Sequence, residues 1–164
     1  MSIVEEELIY DGKKHLLRWH ADLPIPTSNI TQVRGYIFDT EGKVLIVESR
    51  GEHWTTVGGH PEGNETPVET FKREVMEEAC VEIENETFLG FIEVIPENGD
   101  THYFQLRYAA LLKKKLPFEA RFETTACKFV LPDEISKYIP WTGKSPVFAE
   151  EMKAALAVYK KIKK

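Results

Sequence analysis

Short apolar runs rich in β-branched and aromatic residues, punctuated by turn formers, open the chain and predict strands. Glu5 to Tyr10 and Lys14 to Trp19 flank Asp11-Gly12, a dipeptide suited to the positive backbone angles of a tight turn, which predicts an N-terminal β-hairpin. Ala21 to Asn29 carries two prolines and reads as an irregular connector. Val33 to Asp39 and Lys43 to Glu48, separated by Thr40-Glu41-Gly42, predict a second hairpin, and the glycine-rich Gly51 to Glu65 reads as loop. At Thr66 the period changes. Thr66 and Glu69 form a capping box with Pro67 at the first helical position, and Val68, Phe71, Val75 and Ala79 fall on one helical face. Beyond the helix, Glu86 to Ile95, Thr101 to Leu112 and Ala126 to Leu131 predict strands. Leu131-Pro132-Asp133-Glu134 opens a short helical segment, and Ser145-Pro146 starts a terminal helix running toward Lys164. The order is mixed α and β, with no internal repeat.

With 164 residues and roughly 150 per domain, one domain spanning 1–164 is expected. Hydrophobic residues at 42% suffice for a packed core. The net charge of −6 argues against binding to duplex nucleic acid or an anionic membrane, and directs attention to a small ligand or a metal. Cys80 and Cys127 lack the spacing of a disulfide framework or zinc site, which fits a reduced, cytoplasmic setting. No stretch approaches the ~18 apolar residues of a membrane span, and no targeting segment is evident.

The chemistry concentrates on the first helix. Glu74, Glu77 and Glu78 stand at i, i+3 and i+4, so three carboxylates share one arc. Like charges at this spacing cost stability unless a cation sits among them. Such a patch on a helix is either a solvated acidic face or a site for a hard divalent ion, Mg²⁺ or Mn²⁺. The residues before the helix favour the second reading.

Taken whole, Gly59 to Val81 resembles the Nudix box, the signature G-x5-E-x7-R-E-U-x-E-E-x-G-U of Nudix hydrolases, where U is a bulky apolar residue. Gly59, Glu65, Arg73, Glu74, Glu77 and Glu78 occupy its fixed positions, and Val75 and Val81 its apolar ones. Six such matches have a chance of about 10⁻⁵ over the chain at ordinary residue frequencies. Cys80 stands where the pattern has glycine, and a Cβ there costs on the order of 1 kcal/mol if the residue is left-handed. Val57 replaces a proline common before the paired glycines. The resemblance extends to His53 to Gly59, which looks like the family's strand into the box. It implies an α/β/α sandwich with a mixed β-sheet, the box forming loop, helix and loop from 59 to 81.

It also implies roles. Glu74 and Glu78 correspond to metal ligands, Glu77 to a shared ligand, and Gly58 or Gly59 to a carbonyl donor. Glu123, five intervening residues before Phe129, matches the further glutamate from a later loop, with Glu119 as competitor. Glu77 and Glu123 are the candidate general bases, Arg73 fixes the loop geometry, and Glu65 is its partner or a supporting acid. Arg50 and Arg34 are candidate phosphate or substrate contacts. Trp54 could pack in the core or stack on a base. His60 and His102 read as structural, Pro96 faintly echoes an ADP-ribose-type pattern, and the lysine runs at 113–115 and 160–164 read as solvated charge.

The activity implied is Mg²⁺- or Mn²⁺-dependent hydrolysis of a nucleoside diphosphate linked to another group, foremost a (deoxy)nucleoside triphosphate cut to monophosphate and pyrophosphate. The alternatives are hydrolysis of a nucleoside diphosphate sugar such as ADP-ribose and a binding module without turnover. An isomerase of the isopentenyl diphosphate type ranks last. The partner expected is a small nucleotide, and the N-terminal hairpin could pair across a homodimer.

Overall fold

The computed structural model describes residues 3–121 and 123–164. Strands β1 (Val4–Tyr10), β2 (Lys13–His20), β3 (Ile30–Phe38), β4 (Val44–Ser49) and β5 (His53–Gly59) precede helix α1 (Pro67–Ala79). Strands β6 (Val81–Pro96), β7 (Tyr103–Lys115) and β8 (Thr124–Val130) follow, then a short α2 (Ile135–Tyr138) and a terminal α3 (Pro146–Ile162). All eight strands join one mixed sheet in the order β1-β2-β6-β7-β3-β5-β4-β8, and β3–β7 is its parallel pair.

Alternation along β3 shows why two apolar layers form. Val33 and Ile37 pack with Phe71, Val75 and Ala79 of α1. Tyr36 and Phe38 point to the other face, where Phe148, Met152 and Ala155 of α3 cover them. The helices therefore sandwich the sheet, the α/β/α arrangement expected. Gly35 lies under α1, where an added Cβ would strike Tyr108 O and the Phe71 ring, so this crossing requires glycine.

The N-terminal hairpin turns at Asp11 and Gly12, both at positive φ, as expected. The second hairpin needs correction. β3 and β4 share only Phe38↔Val44, because β5 inserts between them in the sheet. The Gly51 to Glu65 span is likewise not all loop: His53–Gly59 is β5, reached by a tight turn with Arg50 and Gly51 at positive φ. β6 starts at Val81, ahead of the expected Glu86, because register shifts break its alternation.

Helix α1 starts with the capping box, Thr66 and Glu69 satisfying each other's backbone N–H. It ends with Cys80 left-handed at φ 56, the amide bonded to Met76 O, so cysteine takes the conformation that glycine usually supplies. The Cys80 side chain is buried, with Sγ accepting from Glu119 N at 3.5 Å. Among the described residues, no helix is long and apolar enough to cross a membrane.

Candidate functional site

A cleft of about 610 Å³ opens where β5 meets α1, lined by Arg34, Arg50, Glu74, Glu77, Glu78 and Glu123 together with Gly58 and Gly59. The turn of α1 places Glu74, Glu77 and Glu78 on this side, while its apolar stripe faces the sheet. β5 contributes backbone, because its paired glycines admit close neighbours. A Cβ at Gly58 would meet Val33 O and Arg34, and one at Gly59 would fall on the Glu74 carboxylate.

Arg73 organises the acidic set. Its guanidinium donates from Nε to Glu65 Oε2 at 2.7 Å and from Nη2 to Glu65 Oε1 at 3.1 Å, a two-point grip. It also donates from Nη2 to His60 O at 3.0 Å, and from Nη1 to Glu74 at 3.0 Å and Glu77 at 3.2 Å. One cation thus ties the loop before α1 to two of the helix carboxylates. Arg73 and the Glu62 amide hold the Glu65 carboxyl down at about 2. The stability this pairing adds is present above Glu65's ordinary value near 4.5 and fades as pH falls through about 2. Acid-unfolding curves of wild type and Glu65→Gln should therefore differ above pH ~5 and converge toward pH ~2, as followed by circular dichroism.

Glu78 is the most desolvated of the three. Burial pushes its carboxyl up to about 7, against the Gly58 N–H bond at 2.9 Å and the charge of Arg34. Burial also raises Glu74, with Arg73 opposing. In both, desolvation outweighs the neighbouring cations. Glu123 closes the mouth, its carboxylate paired with the Arg50 guanidinium and its carbonyl accepting from Arg50 N. Glu119 lies beside Cys80 at the far end of α1 and does not line the cleft.

The donor set fits a hard divalent cation: the side chains are oxygen donors, and the glycine backbone lies against Glu74. Among the described residues, no group of His, Cys, Asp and Glu side chains encloses an ion unaided. Arg73 draws Glu74 and Glu77 toward itself, and the Gly58 amide holds Glu78. Mg²⁺ needs no closed cage, since one or two carboxylates with water and phosphate oxygens suffice. Gly59→Ala would displace Glu74 and is expected to weaken Mn²⁺ binding by ~10–100-fold in an electron paramagnetic resonance titration.

Two candidate substrate contacts are engaged within the protein. Trp54 packs edge-on against Tyr138 with Lys128 over its ring and does not line the cleft, which favours packing over stacking on a base. Arg34 donates to Thr55 Oγ1 at 3.1 Å and to the Thr56 carbonyl, which commits much of its guanidinium to β5. The His60 ring bonds Thr31 O at 2.7 Å and His102 bonds the Glu93 carboxylate at 2.8 Å, and neither histidine lines the cleft. Pro96 ends β6. Ser49, Glu52, His53, Thr55 and Thr124 also line the cleft and escaped the sequence reading. The signal in the sequence was Gly51, which takes the positive φ of the turn that returns β4 into β5.

The NUDIX domain model matches residues 29–151. None of the curated proteins matches the chain. A mutant form of the Bacillus subtilis pyrophosphohydrolase BsRppH is 20% identical with a TM-score of 0.72, over 91% of this chain and 94% of that one. A NUDIX hydrolase from Nitrosomonas europaea is 18% identical with a TM-score of 0.63, over 79% and 90%. A C. elegans Ap4A hydrolase gives 18% and 0.57, over 77% and 98%. At these identities the likeness is one of fold.

Proposed function

The chain belongs to the NUDIX domain family, and from that premise we propose that its acidic cleft hydrolyses a nucleoside diphosphate linked to a further group, foremost a nucleoside triphosphate to monophosphate and pyrophosphate, with Mg²⁺ or Mn²⁺. The observation that carries this is the desolvated Glu78 beside Glu74 and Glu77, in a cleft whose other wall offers Arg34 and Arg50.

In this reading Glu74 and Glu78 would hold the cation, with Glu77 shared and the Gly58–Gly59 backbone offering a carbonyl. When bound there, a divalent ion would supply neutralising charge for the diphosphate and a lowered pKa for the attacking water. Arg73 keeps the carboxylates oriented while Glu65 anchors Arg73. Arg50 is the exposed cation at the mouth, and an incoming phosphate competes with Glu123 for it. That exchange frees the Glu123 carboxylate inside the cleft, where it or Glu77 takes the proton of the attacking water. The retained carboxylates favour this enzyme over a binding module without turnover.

The test is release of phosphate or pyrophosphate from nucleoside triphosphates, nucleoside diphosphate sugars, dinucleoside polyphosphates and capped nucleotides, with Mg²⁺, Mn²⁺ or EDTA. Metal-dependent pyrophosphate release from triphosphates is expected. Metal binding without release from any of them would favour the binding module.

A further inference from the structure

A second cavity, about 500 Å³, lies on the α3 side of the sheet and shares Arg34 and Thr55 with the acidic cleft. A ligand with phosphates in the cleft would therefore place its remaining part here. The pocket floor is a buried ion pair. Arg107, 8% exposed, donates from Nε to Glu151, 3% exposed, at 2.6 Å, and Tyr36 OH donates to the same Glu151 oxygen at 2.8 Å.

Arg107 also fixes two amides. Its Nη1 donates to Gln32 Oε1 at 2.8 Å and its Nη2 to Gln105 Oε1 at 3.4 Å. A guanidinium has no acceptor, so both glutamines must turn their oxygens toward it, which leaves each –NH₂ to other partners. Among the described residues, neither amide nitrogen donates to a protein group. One oxygen of each lining carboxylate is already engaged. Glu151 takes Tyr36 and Arg107, and Glu6 takes the Ser145 hydroxyl and the Val147 amide. At the rim Trp141 is 62% exposed, its ring edge-on to Phe148 at 5.9 Å. A pocket with two oriented donors and an exposed indole suits a flat ring with adjacent acceptors.

We propose that this pocket binds the nucleotide's base and selects 6-oxopurines over adenine through the Gln32 and Gln105 amides, a step that rests on the acidic cleft being the phosphate site. Guanine presents O6 and N7, two neighbouring acceptors, whereas adenine presents N7 beside the N6 amino donor. One amide then pairs with N7, while the other sets a donor against the N6 amino donor and leaves it unpaired. Hypoxanthine carries the same O6 and N7 without the 2-amino group, so it binds like guanine. Trp141 stacks on the ring and adds affinity without choosing among bases.

The test is calorimetric titration of GMP, IMP and AMP in EDTA with the full chain, beside metal-dependent hydrolysis of GTP, ITP and ATP. GMP and IMP are expected to bind alike and ~10–100-fold more tightly than AMP, the range set by one unpaired buried donor. Gln32→Glu keeps an oxygen for Arg107 and offers a second oxygen as acceptor, so the GMP-to-AMP ratio should fall or invert. Trp141→Ala, at an exposed position, should weaken all three by a similar factor. Equal affinity for AMP and GMP, IMP falling to the AMP level, a ratio unmoved by Gln32→Glu, or no binding of any of the three would overturn the proposal. Base selection without hydrolysis would sink the reading of the cleft and leave the pocket standing. Equal binding and equal hydrolysis of GTP and ATP would do the reverse.

Discussion

Glu78→Gln is expected to lower turnover by ~10²–10³-fold, the several kcal/mol that a correctly held metal contributes in the transition state. Folding should survive, because glutamine keeps an oxygen for the Gly58 amide. The metal-free protein should in fact gain stability. The folded-state carboxyl titrates at about 7 rather than near 4.5, so its ionisation opposes folding as pH rises through that window. In EDTA at pH ~8 the variant should melt above wild type, and at pH ~4 the gain should vanish. Scanning calorimetry at the two pH values checks this, and steady-state kinetics checks the rate. A variant with wild-type turnover would remove Glu78 from the metal site.

Glu151→Ala should be the most destabilising of the substitutions considered, by about 3–5 kcal/mol, because it leaves Arg107 charged and buried without its partner. Tyr36 OH would lose its acceptor as well. The urea midpoint should fall with little change in slope. Changing Arg107 and Glu151 together to leucine should recover much of the loss, since no lone charge then remains buried. If Glu151→Ala alone left the midpoint in place, the pair would carry no weight in the fold.

Much of this was legible from local pattern. The Asp11-Gly12 turn, the capped start of α1 and the Ser145-Pro146 start of α3 each depend on neighbours in sequence, so the residues alone specify them. Strand order is another matter. The insertion of β5 between β3 and β4 is a long-range pairing, and its glycines look like loop until Arg34 and Glu74 are seen packed against them. The carboxylates of α1 were visible because helical spacing gathers them. The approach of Glu123 to the cleft came from resemblance, and Arg50 was named without its pairing to Glu123, since that contact joins strand ends far apart in the chain. The base pocket was missed, although Glu151 interrupts the apolar stripe of α3 between Val147 and Ala155, a carboxylate in the core that called for a partner.

Turnover of wild type and Glu78→Gln, measured side by side on the same nucleoside triphosphate with Mg²⁺ and with EDTA, tests the metal-dependent cleft most directly. Wild type should release pyrophosphate with Mg²⁺ and stop in EDTA, and the variant should be nearly silent in both. Release that continues in EDTA, or that Glu78→Gln leaves at the wild-type rate, would contradict the assignment of the α1 carboxylates to a catalytic metal.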